Sequence, residues 1–186
     1  MKPYISLDVE TTSIDPEEGQ VLEIGAVIDD WETPVENLPR FQCYVLPEGC
    51  IYGNPFALSM HPKILRRIAT AAVGYNYHSE NDVALEFRRW VLTENGPIQK
   101  KLTMAGKNFG SFDRQFLRRL PRWEELVPMQ HRSIDPGNLY WEPCIDEGLP
   151  DLKTCMDRAN IPGPVPHTAV EDALIVVKLI RKWANR

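Results

Sequence analysis

Between Tyr4 and Glu10 the chain alternates strictly, with Ile5, Leu7 and Val9 apolar and Ser6, Asp8 and Glu10 polar. A period of two marks a strand, and it places the two acids on one face near its end. Residues 21–28 read as a second strand after the turn-rich stretch 13–19, and residues 41–45 as a third. The proline-containing, charged stretch 31–39 is a loop between them. Residues 54–60 read as irregular and 62–72 as helical; 79–93 is an amphipathic helix with Val83, Phe87, Trp90 and Val91 inward. Leu102–Ala105 is a short strand, and 111–120 a helix with Phe112, Phe116, Leu117 and Leu120 at core spacing. Ile134 falls in a further strand beside Asp135. A helix over 151–160 carries Leu152, Cys155, Met156 and Ala159 inward, and the proline-rich segment 161–166 leads into a final helix over 168–183. Strands first and alternation afterwards predict a mixed α/β sheet with helices on both faces, as one domain over 1–186.

Composition sharpens this picture little. The chain has 186 residues, 43% hydrophobic and 25% charged, which suits one ordinary globular domain with a substantial core. Neither an internal repeat nor a low-complexity tract is present. Cys43 and Cys155 sit at core positions and read as buried free thiols, and the four cysteines lack zinc spacing. Asp8 and Glu10 interrupt any leading apolar run, and no apolar stretch approaches the ~20 residues of a membrane helix, so a reducing cytoplasm is the expected compartment. The formal charge of −5 argues at first against a polyanionic partner. Four acids bound by cations would leave −1, so nucleic acid stays open and the local distribution of charge decides.

Those four acids lie in three separated segments. Asp8 and Glu10 stand in D-V-E-T-T, Asp113 in G-K-N-F-G-S-F-D-R-Q-F-L, and Asp172 in H-T-A-V-E-D-A, five residues after His167. A helix N-terminus accommodates negative charge, which would explain Asp113 and Asp172 without function. It does not explain two same-face acids in an apolar strand, where unpaired charge is unfavourable. Converging carboxylates suit a hard cation such as Mg²⁺ or Mn²⁺. Two such ions can drive hydrolysis of a phosphate ester, and a neutral imidazole can take the proton of the attacking water. A lone histidine is usually a surface or capping residue; its spacing to Asp172 makes His167 the candidate base.

In order and spacing the three segments resemble the motifs of the DEDDh branch of the DnaQ-like 3′–5′ exonucleases, in the ribonuclease H-like superfamily. Leu22-Glu23-Ile24-Gly25-Ala26 also resembles that family's second strand. The resemblance implies a mixed five-stranded ribonuclease H-like sheet flanked by helices on both faces. It implies release of nucleoside 5′-monophosphates from the 3′ end of single-stranded DNA, RNA or both, with two Mg²⁺ or Mn²⁺ ions per site. Asp8 would bridge both ions, Glu10 and Asp172 would ligate the water-activating one, and Asp113 the other. His167 would be the general base. Thr11 and Thr12 would approach the terminal nucleotide, although turn chemistry accounts for them equally. Met60, His61, Asn108 and Phe109 are further substrate-binding candidates, with Phe56 beside them; Phe109 fits the core, and His61 a surface position, equally well. Asp135 reads as a local cap. Arg114, Arg118, Arg119 and Arg122 follow the second motif, with Lys100, Lys101 and Lys107 before it; they form either a phosphate track or solvated faces. A catalytically silent nucleic-acid-binding or adaptor domain is the alternative, but it would be expected to lack one of these five residues. Monomer and homodimer both fit.

Overall fold

The computed structural model of the chain describes every residue except Gln99, His167 and Arg186. The alternating segment forms β1 (Tyr4–Thr11), followed by β2 (Val21–Asp29), β3 (Arg40–Leu46), β4 (Tyr77–Ser79), β5 (Leu102–Ala105) and β6 (Met129–Ile134). They make a six-stranded sheet of order β4-β3-β2-β1-β5-β6. β1–β2 and β2–β3 are antiparallel, while β1–β5, β3–β4 and β5–β6 are parallel. The count exceeds the expected five strands by β4, which is only three residues long and runs into the predicted start of the following helix.

Helix boundaries shift for identifiable local reasons. Residues 55–60 are not irregular but form α1 (Pro55–Met60): the Asn54 side chain caps it by accepting from the Phe56 N–H, and Pro55 pre-sets the first turn. α2 (Pro62–Thr70) follows at once, and α3 (Val83–Asn95) begins only after β4 has paired with β3. The helix expected over 111–120 is shorter, α4 (Asp113–Leu117). Pro121 and a left-handed Arg122 (φ 59°) then redirect the chain into α5 (Trp123–Leu126). α6 (Pro136–Leu139), α7 (Leu152–Arg158) and α8 (Ala169–Ala184) complete the chain.

The strand alternation separates the two faces of the sheet. Ile5, Leu7 and Val9 join Ile24, Ala26, Phe41, Val45, Phe87 and Trp123 in the main core. The opposite face is covered by α8, whose Val176, Val177 and Ile180 pack on Tyr4 and Val27. At this face's far end Asp29 is fully buried; it accepts from the Tyr4 hydroxyl at 2.7 Å and from Arg181 Nε and Nη2 at 3.0 and 2.5 Å. Among the described residues no helix is long and apolar enough to cross a membrane.

Candidate active site

The polar positions of β1 emerge at its C-terminal end on the α8 face. Asp8 lies opposite Gly25 of β2, and Glu10 opposite Glu23. Gly25 lets α8 rest directly on the sheet, since a β-carbon there would fall 2.0 Å from the Val170 nitrogen. Ser6 Oγ donates to the Ala173 carbonyl at 2.8 Å, pinning the same turn. Asp172, in that first turn, is thereby brought over β1. Carboxylate oxygens of Asp8, Glu10 and Asp172 lie within 4.8 Å of one another.

Asp113 arrives from the other side. β1 and β5 pair only through Ile5–Met104 and Ser6–Ala105 before they diverge. Beyond that point the Val9 N–H donates instead to Asp113 Oδ1, at 3.0 Å. The carboxylate thus replaces a strand in the ladder and is fixed against the backbone between Asp8 and Glu10. Its other oxygen, Oδ2, is buried without a hydrogen-bond partner.

Burial and neighbouring negative charge raise the proton affinities of Asp8, Glu10 and Asp113. Asp8 is pushed well above the usual carboxylate range by burial first and then by Asp113, Glu10 and Asp172. Burial, then Glu23, lifts Glu10 to about 7. Burial also lifts Asp113 to about 7, against the opposing Val9 N–H. The donors are all carboxylate oxygens, and Asp113 Oδ2 is a buried acceptor left without a donor, so the residues fit a hard divalent cation.

A cavity of about 500 Å³ opens beside Glu10, with Thr11, Phe56, Met60, His61 and Phe112 on its walls. His61 Nδ1 lies 3.5 Å from Glu10 Oε2. Of the substrate-binding candidates, Thr11, Met60 and His61 therefore stand at the site, together with Phe56. Thr12 does not: it is fully buried, and its hydroxyl accepts the Gln20 N–H at 2.8 Å, locking the β1–β2 turn. Phe109 is 1% exposed in the main core and has no free ring face to stack. Asn108 serves its own turn, donating its N–H to Asp135 Oδ2 at 2.8 Å from a left-handed backbone (φ 60°). Asp135 is the local cap expected, also accepting from the Gly137 N–H at 2.7 Å. His167 lies outside the described residues.

The arginines after the second motif are each already paired with a carboxylate, two of them sharing one. Arg114 and Arg118 reach Glu124 at 3.8 and 2.7 Å, Arg119 reaches Glu17 at 2.7 Å, and Arg122 reaches Glu125 at 2.9 Å. Lys107 faces Asp135 at 3.8 Å, and Lys100 and Lys101 border a separate cavity with Lys2 and Tyr4, the N-terminal end of β1. They do not form a phosphate track.

Sequence reasoning passed over Glu23. This side chain is fully buried, accepts Gln42 Nε2 at 2.5 Å through Oε1, leaves Oε2 without a hydrogen-bond partner, and lies across from Glu10 in the strand pair. A single acid inside the apolar run V-L-E-I-G-A-V was the available signal.

No family model and no curated protein sequence matches the chain. Solved structures do. Exonuclease I of Methylocaldum szegediense matches with a TM-score of 0.70 at 16% identity, over 100% of this chain and 41% of that one. E. coli Exonuclease I in complex with a dA16 oligonucleotide matches with a TM-score of 0.70 at 17% identity, over 100% and 41%. The zinc-bound form of the E. coli enzyme with single-stranded DNA gives 0.71 at 17%, over 100% and 41%. The chain spans less than half the length of these proteins. At such identity the likeness is one of architecture, and it establishes that the chain has the ribonuclease H-like α/β fold of Exonuclease I.

Proposed function

We propose that this chain is a divalent-metal-dependent exonuclease that hydrolyses phosphodiester bonds from the 3′ end of single-stranded nucleic acid. The observation that carries this reading is the convergence of Asp8, Glu10 and Asp172 within 4.8 Å, beside an Asp113 oxygen that lacks a donor. Single-stranded DNA is the first substrate to test, because the like-folded E. coli Exonuclease I binds dA16; RNA is the second.

Asp8, Glu10 and Asp172 would hold one Mg²⁺ or Mn²⁺, and Asp8 with Asp113 another. When bound, such ions supply a nucleophilic hydroxide and neutralise charge on the phosphoryl oxygens. The protein's own part is positioning. Val9 holds Asp113 by its N–H, and Ser6 holds the start of the helix bearing Asp172 through the Ala173 carbonyl. Phe56, Met60 and Phe112 offer apolar faces on which a terminal base can stack, and His61 orients the Glu10 carboxylate from the same wall. The role of His167 as the base that takes the water proton rests on its place in the third motif.

The test compares 3′-blocked and free single-stranded DNA, RNA and dinucleotides, using wild type and Asp8→Ala. Release of 5′-mononucleotides from free 3′ ends, absent in the variant and in EDTA, is expected. Equal degradation by both proteins, or indifference to EDTA, would sink the mechanism.

A further inference from the structure

Residues 49–79 contain no aspartate or glutamate, although the chain holds 26 of them. This stretch folds as α1 and α2, which border the cavity at Glu10, and β4, the outer strand of the sheet, and it carries Lys63, Arg66 and Arg67 on α2. Positions 63, 66 and 67 are three and four apart, so they share one side of the helix. Lys63 lines the cavity that reaches Glu10. Arg66 is exposed one turn further on. Arg67 donates to the Tyr44 hydroxyl at 2.6 Å and lies 4.3 Å from the centre of the Tyr75 ring. Among the described residues, no carboxylate forms an ion pair with any of these three cations. Glu23 acts on Arg67 only through space. The contrast with the paired arginines of α4 and α5 is complete.

Exposed apolar and aromatic groups line the same stretch. Phe56 is 74% exposed, Tyr52 54% and Tyr75 38%. Cations interleaved with open aromatic faces bind single strands irrespective of sequence, the cations holding phosphates and the rings stacking bases. α2 is about 14 Å long at 1.5 Å per residue, room for about four stacked nucleotides at ~3.4 Å each.

We infer that α1, α2 and the Tyr75 loop form the platform that holds the strand behind its terminal nucleotide, with phosphates on Lys63, Arg66 and Arg67 and a base on Tyr75. The direction of the strand rests on the exonuclease reading above; the binding itself does not. The partner is a single-stranded polynucleotide, selected by charge complementarity on a molecule whose net charge would otherwise repel it.

The test uses the full chain and a fluorescent single-stranded dodecamer, with anisotropy in EDTA and steady-state cleavage in Mg²⁺. Lys63→Ala/Arg66→Ala alters only exposed helix positions, and Tyr75→Ala is a second, separate variant. The double variant is expected to weaken dodecamer binding at least tenfold. Its log–log salt slope should fall by about 1.4, since each phosphate neutralised on a single strand accounts for about 0.7. The KM for the dodecamer should rise at least fivefold more than that for a dinucleotide, and Tyr75→Ala should weaken binding about threefold. Arg118→Ala/Arg122→Ala should change neither quantity. Unchanged binding in the α2 variant, binding lost instead in the α4–α5 variant, or no dodecamer binding by wild type would overturn the platform. Wild-type binding that is lost in the α2 variant, without any cleavage, would keep the platform and refute the exonuclease.

Discussion

The β1–β2 pair buries carboxylates at both of its ends and treats them in opposite ways. At one end Asp29 is met by the Tyr4 hydroxyl and gripped by Arg181 from α8. At the other, Asp8 and Glu23 lie beside Glu10 and Asp113, and among the described residues no lysine or arginine is within ion-pair distance of these four. The first arrangement is a finished piece of architecture: charge, donor and acceptor balance within the protein. The second is left out of balance, and its acids respond by holding protons into the neutral range. Asp146, a half-buried carboxylate gripped by Arg158, moves the other way, down to about 2. Where an acid has its cation built in, it serves stability; where it lacks one, the reading proposed above has it receive a cation from solution.

Breaking the unbalanced end should have the largest effect. Asp8→Ala is expected to reduce single-strand cleavage by at least ~10³-fold, roughly 4 kcal/mol of transition-state stabilisation, with the circular dichroism spectrum unchanged. Breaking the balanced end should hurt folding instead. Arg181→Ala strands a fully buried Asp29 and should lower unfolding stability by about 3 kcal/mol, read from the urea midpoint, while cleavage per folded molecule persists.

A subtler variant sharpens the contrast. Asp113→Asn keeps an oxygen to accept the Val9 N–H but removes a charge the fold holds unwillingly. Metal-free Asp113→Asn should therefore be more stable than wild type, by about 1 kcal/mol at pH 8, yet lose most of its activity. A wild type that is the more stable of the two in EDTA would contradict this picture.

A further effect concerns pH. Glu10 titrates near 7 in the folded chain against an ordinary value of 4.5. Between those limits the folded state binds more protons than the unfolded one, so metal-free stability falls as pH rises through the window. The loss for Glu10 is on the order of 3 kcal/mol, and Asp113 adds to it in the same direction. Saturating Mg²⁺ should flatten the slope, so the melting temperature should rise more on adding Mg²⁺ at pH 8 than at pH 5.

How much of this the sequence disclosed depends on the range of the interaction involved. β1, β2, β3 and β5 were legible to within a residue or two, because alternation and apolar runs are local signals. So were the acids of the cluster, since two acids on one face of an apolar strand are costly unless a cation joins them. α1 was missed although Asn54 and Pro55 form a cap, because a six-residue helix has little periodicity to display. β4 was missed because three residues acquire strand character only from pairing with β3. The arginines after the second motif stayed ambiguous for a related reason: Glu17, which pairs with Arg119, is over a hundred residues away in the chain. Phe109 and Thr12 have the right chemistry for a substrate contact, and only packing shows that both are already engaged. Conversely, the acid-free stretch 49–79 was plain in the sequence, but its meaning needed the fold that sets it beside Glu10.

The bare backbone of Gly25 has a consequence for sorting proteins of this design. The strand that pairs with Asp8 and the helix carrying Asp172 meet at Gly25, where only a hydrogen atom separates them. One methyl group at that point would act as a wedge, prising the two halves of the cluster apart while every acid and the whole core remained in place. On the exonuclease reading proposed above, a chain could thus be silenced with all four acids in place, and a roll-call of carboxylates would count it as active. On that reading, activity is to be asked at residue 25 as much as at the acids themselves.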